Sequence, residues 1–138
     1  MNKSMIVLRA VLGSVLLAAV VVASATAAPN PFKGVWSSID PVDGSTQWLF
    51  VGGGSNGSFH TRYYDDGATI CEDEGVLFPA QAVGALGIFQ GSILGLMPVY
   101  CMASPRYLHD LDVYFEYTYD PANDTLVDQF FTTWTRGH

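Results

Sequence analysis

The chain has 138 residues, 49% of them hydrophobic, with six Lys and Arg against thirteen Asp and Glu and a formal net charge of −7. That length has room for one domain built on one core. The acid excess argues against nucleic acid or anionic lipid as a partner, because phosphates need basic contacts.

Residues 1–27 read as a signal peptide. Lys3 and Arg9 form a basic head, residues 10–23 are almost wholly apolar, and Ala25-Thr26-Ala27 offers the small residues a signal peptidase needs. Cleavage after Ala27 is preferred over Ala28, since Pro29 would otherwise follow the scissile bond. The apolar run is shorter than the ~20 residues that span a bilayer, and no later segment could cross one. The expected product is a single domain, residues 28–138, in a secreted or periplasmic location. Its bases are Lys33, Arg62, Arg106 and Arg136 against all thirteen carboxylates, which leaves −9. Solubility accounts for such a charge, and a specific cationic partner is the alternative reading. Cys71 and Cys101, in a chain bound for an oxidising space, most simply form one disulfide.

Taken in chain order, the mature part alternates strands and turns. A first strand over 32–39 meets the turn cluster Asp40-Pro41-Val42-Asp43-Gly44, and 45–51 returns as the second. Gly52-Gly53-Gly54-Ser55-Asn56-Gly57 is a loop tip. A third strand over 58–64 ends at Asp65-Asp66-Gly67, and 68–72 predicts a short fourth. Residues 80–100 carry Gly84, Gly87, Gly91 and Gly95, too many for a helix at ~1 kcal/mol each relative to alanine. They predict a hairpin of 82–90 and 92–100, with Pro98 at a bulge or edge. Alternation is cleanest over 110–119, with Leu111, Val113, Phe115, Tyr117 and Tyr119 on one face. Asp120-Pro121-Ala122-Asn123-Asp124 is a turn, and 125–135 predicts the last arm. The sum is an all-β, up-and-down antiparallel barrel of about eight strands, a size that closes around packed side chains or one small ligand.

Gly34-Val35-Trp36 on the first strand and Arg136 on the last resemble the lipocalin and wider calycin pattern. That resemblance implies that Arg136 packs across Trp36 and closes the barrel base, with Gly34, Trp36 and Arg136 as structural closure residues and any ligand at the opposite end. A guanidinium over an indole gains cation–π attraction of about 0.5–2 kcal/mol, while its donors reach backbone carbonyls. Gly34-Val35-Trp36, Asp43-Gly44-Ser45 and Gly57-Ser58-Phe59 also resemble the opening of avidin-type barrels. Phe59 there lacks the hydroxyl that those proteins aim at biotin, so biotin is not an expected ligand. The single disulfide and export are similar to small lipocalin-like protease inhibitors of bacteria.

Catalytic and metal chemistry find little support. The histidines are His60, His109 and His138; Ser104 and Asp110 lie near His109 without a Gly-x-Ser-x-Gly elbow, so no catalytic residue is assigned. Asp40, Asp43, Asp65, Asp66, Glu72, Asp73 and Glu74 lie at turns but lack calcium-loop spacing, and turn formation explains Asp43-Gly44 and Asp66-Gly67. No cofactor or metal is expected. Asn56-Gly57-Ser58 and Asn123-Asp124-Thr125 are acceptor sequons in loops.

Phe115, Tyr117 and Tyr119 are the candidate ligand-binding residues: in a carrier they would line the cavity, and in a filled barrel they would be core. The expected function is a noncatalytic secreted binding protein for a small apolar or amphipathic molecule. The alternative is an extracellular interaction or inhibitor protein using loops 52–57 and 72–79. A cavity of ~300 Å³ or more favours the carrier.

Overall fold

Period-two alternation becomes a closed antiparallel barrel in the computed structural model, which describes residues 30–103 and 106–137. The predicted leader, 1–27, lies outside the described residues. In chain order the strands are β1 (Gly34–Ile39), β2 (Thr46–Gly53), β3 (Ser58–Asp65), β4 (Glu72–Asp73), β5 (Val76–Leu77), β6 (Ala80–Phe89), β7 (Ser92–Ala103), β8 (Arg106–Asp120), β9 (Thr125–Asp128) and β10 (Thr133–Arg136). The barrel runs β1-β10-β9-β8-β7-β6-β3-β2, and β4 pairs with β5 as a separate two-stranded hairpin. The all-β, eight-stranded barrel is the one the alternation predicts. No helix among the described residues is long and apolar enough to cross a membrane.

Two strands differ from expectation. The fourth strand expected over 68–72 is instead a 3₁₀ turn, Thr69–Cys71, running into the β4–β5 hairpin outside the barrel. Glu74 and Gly75, both with positive φ, turn that hairpin tightly, and its residues are exposed, so it has no face to bury. The single arm expected over 125–135 is two strands. Asp128 breaks it: its carboxylate accepts the backbone N–H of Phe130 and of Thr132, both at 2.9 Å. The two differences cancel in the strand count.

Pairing of Trp36 with Arg136 and of Ser37 with Thr135 joins the first strand to the last. Because neighbours are antiparallel, connections 54–57, 90–91 and 121–124 share the end that holds Arg136. Connections 40–45, 66–79 and 129–132 share the other.

The Arg136 end is filled. Trp36, Leu49, Phe59, Leu86, Ile93, Met97 and Leu126 are buried inside it. Trp36 donates its indole N–H to the Phe32 carbonyl at 2.9 Å, and the Arg136 guanidinium carbon lies 4.2 Å from the centre of the Trp36 ring. Arg136 donates through Nη1 to the Lys33 carbonyl, through Nη2 to the Pro31 carbonyl and through Nε to Asp124, at 3.0, 2.9 and 2.7 Å. Its fork thus ties the chain before β1 to the turn before β9. Gly34 is required here: a Cβ on it would stand 2.9 Å from Arg136 Nη1, on a backbone with φ of 140°. Gly34→Ala is therefore expected to cost roughly 1–3 kcal/mol in urea denaturation, with a smaller cost in an Arg136→Ala background, where that space is free.

The glycine-rich middle packs small against large. Ala80 and Ala82 are buried on β6, and a Cβ on Gly84 would meet Met97 Cγ of β7 at 2.9 Å. Gln90 and Gly91, with φ of 48° and 80°, make the two-residue hairpin turn between them. Pro98, which has no N–H to donate, sits where β6–β7 pairing lapses between Ala82↔Val99 and Gly87↔Leu94. Cys71 and Cys101 form the expected disulfide, with Cα atoms 5.3 Å apart, and fasten the 66–79 excursion to β7 at the open end.

Candidate functional site

Alternation sends every second residue of each strand inward, but the barrel is packed solid at one end only. At the end opposite Arg136 lies a cavity of about 480 Å³. Strands β3, β8 and β10 supply its aromatic wall of Tyr63, Phe115, Tyr117 and Trp134. These rings brace one another: Tyr63 lies 5.2 Å from Phe115 and 6.3 Å from Trp134 between ring centres, and Tyr117 meets Trp134 edge-on at 5.6 Å. Small and aliphatic residues, Ala80, Val99 and Val113, leave the space those rings enclose. Val42, Ile70 and Phe130 border the mouth, with Val42 79% and Phe130 74% exposed.

The polar part of the wall holds three carboxylates, Asp40, Asp65 and Asp128, beside Gln47, Thr69, Gln129 and Thr132. Asp65, on the last position of β3, is only 1% exposed. Its carboxylate accepts the Tyr63 hydroxyl at 3.1 Å, the Gly67 N–H at 3.0 Å and the Gln47 amide at 3.3 Å. The same Gln47 nitrogen lies 3.2 Å from Asp40 and 3.1 Å from the Tyr63 hydroxyl. Asp128 accepts the Trp134 indole N–H at 3.0 Å and so fixes that ring against the cavity.

Burial, reinforced by the charge of Asp65 and the hydrogen bond to it, pushes the Tyr63 phenol far above its ordinary range. Burial does the same to Tyr117, with a further push from Asp128. A raised folded-state pKa means stability that is complete below the unfolded value of about 10 and lost as pH climbs above it. In an ultraviolet titration both phenols should therefore stay protonated past pH 10 and ionise only as the barrel opens. Tyr117→Phe should remove one such late-titrating group.

Of the three candidate ligand-binding residues, Phe115 and Tyr117 line the cavity. Tyr119 shares their face but lies at the closed end, its ring 6.2 Å from Phe32 and its hydroxyl bonded to Asp124 at 2.9 Å. Alternation gives the face a residue points to and not its height in the barrel. Tyr63, Trp134, Gln47, Asp65 and Asp128 were not expected at the site; the adjacency of Tyr63 to the Asp65-Asp66-Gly67 turn is the one signal in the sequence that could have set it near a barrel end.

Ser104 and His138 lie outside the described residues, as do the side chains of His109 and Asp110. Turn aspartates are used in the fold: Asp43 accepts the Ser45 N–H within its own turn and the Thr69 hydroxyl across the open end, and Asp66 accepts the Thr46 N–H at the start of β2. Among the described residues no group of three or more His, Cys, Asp or Glu is placed to hold a metal ion. Loop 52–57 and segment 72–79 lie at opposite ends of the barrel, so one flat partner surface could not engage both. No protein-family model, curated protein or solved structure matches this chain.

Proposed function

We propose that this chain is an exported, noncatalytic binding protein that holds one small apolar or amphipathic molecule in the open end of a calycin-like barrel. The cavity of about 480 Å³, walled by Tyr63, Phe115, Tyr117 and Trp134, is the observation that carries the proposal. It falls within the ~300–1,000 Å³ of small-ligand sites, and its aromatic and aliphatic lining is interrupted by polar groups that can orient a ligand. The exposed side chains of Val42 and Phe130 at the mouth support it too, since a ligand's apolar body would cover them. Division of labour within the barrel is consistent with this: the Trp36–Arg136 end supplies stability and leaves the other end free to be hollow.

Native mass spectrometry of the protein purified from its own host tests the proposal. A small molecule that travels with the folded protein and leaves on denaturation is the expected result. A clean apo mass, together with no binding of apolar probes, would overturn it.

A further inference from the structure

Resting on the carrier proposal, we infer that the ligand is a cationic amphipath, an apolar body bearing an amine or other positive group. The cavity is lined, among the described residues, by three carboxylates, Asp40, Asp65 and Asp128, and by no Lys, Arg or His. Among the described residues the ion pair is Arg136–Asp124, at the far end of the barrel. Asp65 is therefore a buried carboxylate with hydrogen bonds but no counter-charge among the described residues, an arrangement that costs stability unless something positive approaches.

Counting protons sharpens this. The Gln47 amide has two N–H groups but lies within hydrogen-bond distance of three acceptors, on Asp40, Asp65 and Tyr63. The Tyr63 hydroxyl gives its one proton to Asp65. Acceptor capacity on this wall thus exceeds the donors that face it, and a ligand that brings N–H donors and positive charge satisfies both shortages. A carboxylate or phosphate ligand would meet like charge from all three aspartates. The aromatic rings set beside these carboxylates, Tyr63 next to Asp65 and Trp134 next to Asp128, suit the same ligand class, because the ring faces of Tyr and Trp attract cations.

Calorimetric titration of the full mature protein with decylamine, 1-decanol and decanoate, each below its micellar range at pH 7, tests the inference. Decylamine is expected to bind at one site per barrel, at least tenfold more tightly than decanol, with decanoate weakest. Asp40→Asn should reduce the amine-to-alcohol ratio at least threefold, whereas Asp73→Asn, on the exposed hairpin, should leave it unchanged. Equal binding of decylamine and decanol, or preference for decanoate, overturns the cationic class and leaves the carrier proposal standing. Selectivity that falls equally with Asp73→Asn also overturns it, since the acidic surface as a whole would then be responsible. If none of the three binds, both proposals fall.

Discussion

Trp36→Ala is expected to destabilise the barrel by roughly 3–5 kcal/mol, the cost of emptying a large buried aromatic site. Trp36 is fully buried, and three things end together when it goes: the packed base, the donor to the Phe32 carbonyl and the ring under Arg136. A small domain has only about 5–15 kcal/mol in total, so much of the population should be unfolded at 37 °C. Trp36→Phe retains most of the volume and loses the indole N–H, at about 1–3 kcal/mol. Arg136→Ala removes the cation–π contact, about 0.5–2 kcal/mol, and three charge-assisted donors besides. Chemical denaturation of the three variants should rank Trp36→Ala as the most damaging. Because the base lies at the far end from the cavity, ligand affinity of the folded fraction should not move. A Trp36→Ala protein as stable as wild type would remove the closure role assigned to this end.

Removal of the disulfide, as Cys71→Ser with Cys101→Ser, is expected to cost about 3.6 kcal/mol in the chain-entropy model, for the loop set by the 30-residue separation. For a domain of this size that lowers Tm by roughly 15–25 °C. The effect should reach the site as well. Cys71 ends the turn that carries Ala68, Thr69 and Ile70 onto the cavity wall. Ala68 N–H to the Phe78 carbonyl and Phe78 N–H to the Cys71 carbonyl hold the excursion to itself. Besides the disulfide, it is tied to the rest of the chain through Asp66 and Thr46, Thr69 and Asp43, and Met102 N–H to the Pro79 carbonyl. The reduced protein should therefore bind apolar probes more weakly even where it remains folded, and hydrogen exchange should quicken across 66–79 before it does in β1 or β2. Unchanged exchange there on reduction would mean that packing and hydrogen bonds hold the excursion without the disulfide.

Much of this fold is legible in the residues. Alternation over 110–119 marks β8 unmistakably, and Gln90-Gly91 and Asn123-Asp124 sit where turns demand positive φ or side-chain capping. The break between β9 and β10 is not legible, because Gln129-Phe130-Phe131-Thr132 contains none of the residues that announce a turn. Asp128 makes that turn from outside it, and Phe131 takes a left-handed φ of 63° that phenylalanine seldom adopts. The site is half legible for a related reason. Period-two spacing puts Phe115, Tyr117 and Tyr119 on the inner face but says nothing about which lies in the packed base and which in the hollow end. That division depends on Trp36, Phe59, Leu86 and Met97 joining one buried cluster from four strands, a long-range coincidence that no local pattern carries. The same holds for Asp65, Asp128 and Asp40, each readable as a turn residue and brought to one cavity only by barrel closure.

Crystals of the mature protein soaked with 11-bromoundecanol, with the bromine located by anomalous scattering, would test the carrier function most directly. Binding in the open end predicts a bromine peak inside the barrel, between Phe115, Tyr117 and Trp134. Bromine found only on the outer wall, beside exposed residues such as Leu96 and Tyr114, with solvent alone in the cavity, would contradict it.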